Sequence, residues 1–424
     1  MNRDQLKEIF LDQKEAFNRK KDLIPREVDM ERYIKTSQVV IISGIRRSGK
    51  SSLLYLIKEY TGYSDKEYLY FNFDDERIER TTEVMEQIMN LHTELYGQEP
   101  TVFFDEVQNI PGWEKFINRI HEKGYKIFIT GSNASLLSSE ISTSLTGRNM
   151  VLKLYPFSFR EFLKYLGRAY NPATLTSSHK ANLRKDLNEY IAIGGFPLVV
   201  KEQDPEILNG YFQDILYRDI LGRYKITQVE EIRQIAVYLA TNSSRLFSYS
   251  TLQKISGIKS TSTVKSYLEY LSQSYLFIYL NKFDYSVKKQ QMNSRKAYAI
   301  DTGLSGRLGL SFSRESGRKL ENIILLDLVR RGVDVFYHKG KGECDFVIRE
   351  GIDITAAIQV CWELTHENFD REVFGLTEAI NTYKLATGQL IVMEKTPSLP
   401  IADSRIEVFT AWEWLLSDKR KGIN

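Results

Sequence analysis

The chain of 424 residues has only two cysteines, Cys344 and Cys361, and no CxxC. That excludes a disulfide framework and points to a reducing compartment, with the cytoplasm as the expectation. No apolar run approaches the roughly 18 residues that a membrane helix needs. The start, Met-Asn-Arg-Asp-Gln-Leu-Lys, is charged and lacks the apolar stretch of a signal peptide, so no membrane partner is expected. Charge of one sign is missing too. The 58 Lys and Arg against 55 Asp and Glu leave a net +3, so any nucleic-acid footprint must be local. Internal repeats and low-complexity stretches are absent. What remains, 42% hydrophobic and 27% charged, describes a globular protein whose length suits two or three domains.

One stretch stands out against this background. An apolar run, Val39 to Ile42, breaks at Ser43, and Gly44-Ile45-Arg46-Arg47-Ser48-Gly49-Lys50-Ser51 then fits the P-loop pattern G-x-x-x-x-G-K-[S/T]. An amphipathic helix follows, with Leu53, Leu54, Leu56 and Ile57 as its apolar positions. Glycines at 44 and 49 let backbone N–H groups turn inward around phosphates. The helix beginning near Gly49 aims its unpaired N–H groups and positive dipole end at the same anion. Lys50 is expected to reach the β- and γ-phosphates and Ser51 to offer a hydroxyl to Mg²⁺, with Gly44 through Ser52 lining the cradle. ATP and Mg²⁺ are the expected cofactors.

The rest of the first 154 residues supplies partners for that loop. Glu67–Phe73 reads as an aromatic-rich strand, and Thr101-Val-Phe-Phe-Asp-Glu106 as an apolar strand ending in two carboxylates. Asp105 at such a tip is expected to hold Mg²⁺, and Glu106 to polarise the attacking water. Tyr125–Thr130 is a further strand ending in Gly131-Ser132-Asn133. Asn133 there either senses the γ-phosphate or, with Ser132, caps a helix. The loop Ser138–Ser144 leads to Leu145-Thr-Gly-Arg148 and a last strand, Asn149–Leu154. Arg148 reads as a finger for a neighbouring subunit's site, which requires a homo-oligomer, or as a solvated arginine. Strands alternating with helices argue for a parallel sheet covered on both faces, an α/β fold.

Taken together, the P-loop, Phe104-Asp-Glu-Val-Gln108, Ile129-Thr-Gly-Ser-Asn133 and Leu145-Thr-Gly-Arg148 resemble the AAA+-type ATPase family of prokaryotes with a C-terminal domain of unknown function. Leu154–Phe162, Gly194-Gly-Phe-Pro197, Arg218-Asp219 and Tyr298–Gly303 resemble it as well, so the likeness covers nearly the whole chain. The resemblance implies a P-loop NTPase of AAA+/ASCE type (1–154), a helical lid (155–228), a winged helix (229–296) and a restriction-endonuclease-like α/β domain (297–424).

The residues themselves support the middle of that division. Ser250–Gly257, a turn at Ile258-Lys-Ser260, a helix over Thr261–Ser274 and a strand at Leu276–Leu280 follow the helix-turn-helix order with a wing. Residues 259–296 carry seven Lys or Arg against Glu269 and Asp284. Lys259, Lys265, Lys282, Lys288 and Lys289 are therefore candidate DNA contacts, with packing between domains as the alternative. In the last domain, a Glu321 helix and Asp345 on a strand resemble the first acids of the PD-(D/E)xK nuclease core. The next strand reads Gln359-Val360-Cys361 where that core has a Glu and a Lys, which removes the charges a metal site wants. Glu363 lies two residues further along the same expected strand face. The two cysteines read as core. The expected function is Mg-dependent ATP hydrolysis that changes conformation on a partner, DNA first. A nucleotide switch on a protein partner and an ATP-regulated nuclease are the alternatives.

Overall fold

The computed structural model describes residues 2–134, 145, 147–170, 174–309, 316–396 and 398–417. The loop Ser138–Ser144, Thr146 and Pro172 lie outside the described residues. Two compact units result: Met1–Pro156 with Gln273–Tyr275, and Phe157–Ser272 with Leu276–Asn424.

In the first unit, β1 (Val39–Ser43), β2 (Tyr68–Asn72), β3 (Thr101–Asp105), β4 (Ile127–Gly131) and β5 (Asn149–Lys153) form one sheet in the order β2-β3-β4-β1-β5. Every pairing is parallel. Side chains alternate between its faces with the period of two that a pleated strand imposes. Val39, Ile41, Leu69, Phe71, Val102, Phe104, Ile127 and Ile129 join one core. That core also takes residues from α1 (Arg3–Asn18), α4 (Thr82–Tyr96) and α5 (Trp113–Glu122). Val40, Ile42, Tyr68, Tyr70, Phe103 and Phe128 join a second core, closed by α3 (Lys50–Thr61) and by residues of α2 (Met30–Lys35). Burial on both faces is why these strands read as continuous apolar runs. Parallel strands put all their carboxyl ends on one edge, with Ser43 beside Gly131 and Asn72 beside Asp105. The order of connection reverses around β1, the position where open α/β sheets hold ligands.

The second unit opens with helices α6 (Phe159–Tyr165), α7 (Ser177–Ile193), α8 (Pro197–Glu202) and α9 (Ile207–Asp214). The spacing predicts one helix over Ile207–Leu221, but Ile215–Leu221 winds as a π-helix. The wider turn lets Ile215, Leu216, Ile220 and Leu221 all face inward, which an α-helical spacing would spread around the axis. Next come α10 (Val229–Thr241), α11 (Tyr249–Ser256) and α12 (Thr261–Gln273). Gly257 ends α11 at φ 73°, and Val264, Tyr267, Leu268 and Leu271 of α12 are buried. An antiparallel sheet of β6 (Arg245–Phe247), β8 (Arg295–Ala299) and β7 (Phe277–Asn281) accompanies them. Strand β8 is not legible in the sequence, where Arg295 and Lys296 look like the end of a basic run. It crosses the 296/297 boundary expected between two domains.

The last sheet has the order β13-β12-β11-β10-β9. Strands β9 (Asp334–Lys339), β10 (Glu343–Glu350) and β11 (Asp353–Cys361) are antiparallel. Strands β12 (Gly388–Val392) and β13 (Ile406–Thr410) continue from β11 in parallel. Helices α13 (Ser316–Arg330) and α14 (Phe369–Tyr383) accompany this sheet, and Cys344 and Cys361 are buried in its core. Among the described residues, no helix is long and apolar enough to cross a membrane.

Candidate nucleotide site

The loop after β1 is shaped by one close approach. A Cβ on Gly44 would stand 2.1 Å from the carbonyl oxygen of Leu154, so only glycine fits. Gly49 has φ 97° and caps α3 without a side chain, leaving the first N–H groups of that helix facing the loop. Between them, Ser48 is buried and its Oγ has no hydrogen-bond partner. An orphaned buried hydroxyl of this kind is a cost unless a ligand satisfies it. Lys50 is 4% exposed and folds back over the loop, with Nζ 3.2 Å from the Gly44 carbonyl and 3.3 Å from that of Ile45. Its Nζ also lies 3.6 Å from Glu106 Oε1. The cradle, the orphan hydroxyl and the lysine together fit a polyphosphate.

The second half of the site hangs on Thr130, at the end of β4. Its hydroxyl donates to Asp105 Oδ1 and accepts from the Glu106 amide at 2.9 Å. The Tyr70 hydroxyl donates to Asp105 Oδ2 at 3.0 Å, so both oxygens of this fully buried carboxylate are fixed. Burial and the Asp105 charge hold the Tyr70 phenol far above its usual range, which keeps it a donor. Glu106 adopts φ 53°. The left-handed region costs a residue with a Cβ about 1–3 kcal/mol and is tolerated where surroundings enforce it; here the Thr130 bond does so. Burial would raise the Glu106 carboxyl, but the charges of Lys50 and Arg46 and the Gln108 amide outweigh it and hold it below its ordinary value.

Further basic residues brace the loop. Arg26 donates to the Ser48 carbonyl at 2.9 Å and to that of Tyr155 at 2.7 Å. Lys20 donates to the Ser51 carbonyl at 2.8 Å, and Arg46 pairs with Asp74 at 3.6 Å. Sequence reasoning misses Thr130, Tyr70, Arg26 and Lys20. The one local signal was Thr130, a polar residue closing an apolar strand.

The sheet brings Gly44–Ser52, Asp105, Glu106 and Asn133 to the same carboxyl edge, Asn133 being fully buried just past β4. It does not bring Arg148 there. The Arg148 carbonyl accepts from Val39 N at 3.0 Å, at the amino end of β1, and its guanidinium meets Glu122 at 2.6 Å and Asn118 at 2.8 Å.

Two other readings change in the second unit. Lys296 is 2% exposed and surrounded by carboxylates, so it leaves the basic run, and Arg295 lies over the rings of Phe247, Tyr249 and Tyr279. Lys259, Lys265, Lys288 and Lys289 remain exposed, and Lys282 is half-buried. Gln359 is on β11, whereas Glu363 lies past its end at Cys361, so it does not continue that strand face.

Residues 36–163 match a family model described as an AAA domain, and residues 184–315 one described as a domain of unknown function (DUF8612). An uncharacterized protein of Methanocaldococcus jannaschii is 35% identical, over 97% of this chain and 95% of its own. An uncharacterized protein of Haemophilus influenzae is 30% identical, over 93% of this chain and 99% of its own. The structure of the Aeropyrum pernix Orc1 protein in complex with DNA is similar at 12% identity and a TM-score of 0.31, covering 68% of this chain and 93% of that one.

Gly44→Ala is expected to weaken nucleotide binding at least about tenfold, or 1.4 kcal/mol, with the circular dichroism spectrum unchanged. Titration with a fluorescent ATP analogue checks this, and an affinity equal to wild type would refute the steric account of the loop.

Proposed function

This chain belongs to one family with the Methanocaldococcus and Haemophilus proteins and carries an AAA domain, and on that premise we propose that it hydrolyses ATP to change conformation on DNA. One observation carries the reading: a P-loop with an orphaned hydroxyl and a folded-back lysine shares a sheet edge with the tethered pair Asp105 and Glu106. Lys50 turns from the carbonyls of Gly44 and Ile45 to the β- and γ-phosphates, which the backbone of Ile45, Arg46, Arg47, Ser48 and Gly49 surrounds. Ser51 and Asp105 are the residues that would hold Mg²⁺, which would supply charge to offset that developing on the phosphates. Glu106, its backbone pinned by Thr130, orients the attacking water and accepts its proton. Asn133 contacts the γ-phosphate or that water. Arg148 lies at the other edge of the sheet, so it serves a nucleotide only where a second copy of the chain supplies it.

For the remainder we propose the division 1–154, 155–228, 229–296 and 297–424 into ATPase core, helical lid, winged helix and nuclease-like domain, with the last boundary moved past Ala299 so that β8 stays in the sheet it pairs with. The helices α11 and α12 with the sheet β6-β8-β7 support the winged helix. Lys259, Lys265, Lys282, Lys288 and Lys289 are its proposed phosphate contacts. Cutting of DNA is the weaker reading, because Gln359 offers a neutral amide already bonded to Glu372 at 2.6 Å and to the Asp345 amide at 3.2 Å.

Glu106→Gln is expected to bind ATP like wild type and to lose turnover by about 100-fold or more, the range for removing a general base. An unchanged turnover would remove Glu106 from that role. Duplex DNA is expected to stimulate hydrolysis, with an affinity that falls as salt rises. Turnover indifferent to DNA would favour a protein partner.

A further inference from the structure

A cavity of about 770 Å³ lies in the second unit, and Lys296 sits on its wall with Glu321, Glu343, Asp345 and Gln359. Lys296 comes from β8, Glu321 from α13, and Glu343 and Asp345 from β10, so three elements meet at one ammonium. Its Nζ is 2.8 Å from Glu343 Oε1, 3.0 Å from Asp345 Oδ1 and 3.1 Å from Glu321 Oε1. The ammonium donates to Glu321 Oε1 and Asp345 Oδ1, and Glu343 Oε1 completes the cluster as an ion pair. Further donors hold the carboxyl groups in place. The Tyr298 hydroxyl donates to Glu321 Oε1 at 2.6 Å, Val360 N to Asp345 Oδ2 at 3.1 Å, and Lys339 to Glu343 Oε2 at 3.1 Å.

Carboxylate oxygens converging on one point are how proteins surround a hard cation, and here the cation is part of the chain. We propose that Lys296 is a built-in cation standing where a divalent metal would, so that this cavity is a metal-independent site. A divalent ion placed beside the ammonium would meet its positive charge. One that replaced it would have to break two hydrogen bonds and a further ion pair and leave a buried ammonium unpaired, which is strongly unfavourable. The strand that faces the cluster adds no charge, since Gln359 stands there with both ends of its amide bonded. Among the described residues, no group of three or more His, Cys, Asp and Glu is disposed to hold a metal ion. Burial alone would lower the Lys296 ammonium, but Glu321, Asp345 and Glu343 outweigh it and keep it charged well above its ordinary value. The inference is independent of the ATPase reading.

The test is a Mn²⁺ titration of the full chain without nucleotide, with free Mn²⁺ read by electron paramagnetic resonance. Wild type is expected to bind no Mn²⁺ that depends on Asp345. Lys296→Met, which keeps the length of the side chain and removes its charge, is expected to gain one Mn²⁺ at least about tenfold tighter than any wild-type binding. The added change Asp345→Asn is expected to abolish that gain. A wild-type equivalent of Mn²⁺ that Asp345→Asn removes would overturn the proposal, as would a folded Lys296→Met chain that gains none. If Lys296→Met does not fold, Lys296→Gln replaces it, and the comparison of wild type with Asp345→Asn still decides.

Discussion

The chain leaves β1 pressed against the carbonyl of Leu154, and the proposed nucleotide site depends on that contact. Strand β1 is buried on both faces between β4 and β5, so its last residue has one direction in which to continue. Leu154 N donates to the Ser43 carbonyl at 2.7 Å, which draws the end of β5 alongside and leaves no room for a Cβ at Gly44. The loop then has to curl with its amides inward, and α3 starts where the curl ends. The strong part of the site is thus a consequence of how a fully covered parallel sheet terminates.

Two buried lysines show how differently the same residue type is used. Lys50 rests on two backbone carbonyls and a carboxylate at 3.6 Å, longer than a good charge-assisted bond. Such contacts exchange readily for phosphate oxygens. Lys296 is surrounded by three carboxyl groups within 3.1 Å and ties β8 to α13 and β10. In the roles proposed for them, the first lysine meets a ligand and the second takes the place of one.

Much of the first unit was legible because its signals are local. The apolar run of β1, the glycine spacing and the acid pair after Phe104 each lie within a dozen residues, and the sheet assembles them without changing their meaning. What the sequence hid is long-range. Thr130 joins Asp105 and Glu106 across some two dozen positions, and Tyr70 reaches Asp105 from another strand. Lys296 looked like one more charge in a basic stretch because β8, short and carrying two alanines, gives no strong strand pattern. The place of Arg148 follows from the chain order, and it suits either a residue that acts on a second copy or a solvated arginine. A residue just before a parallel strand lies at the amino edge, away from a loop that follows its neighbour. Strands β12 and β13 and helix α14 carry no motif and went unread.

The central claim is that Lys50 and its loop hold the phosphates of a nucleotide. Calorimetric titration of MgATP into the wild-type chain and into Lys50→Ala tests it most directly. The account predicts one saturable site in the wild type and at least about a hundredfold weaker binding in the variant, a loss of about 2.7 kcal/mol. Equal affinities for the two proteins, or no binding to the wild type, would contradict it.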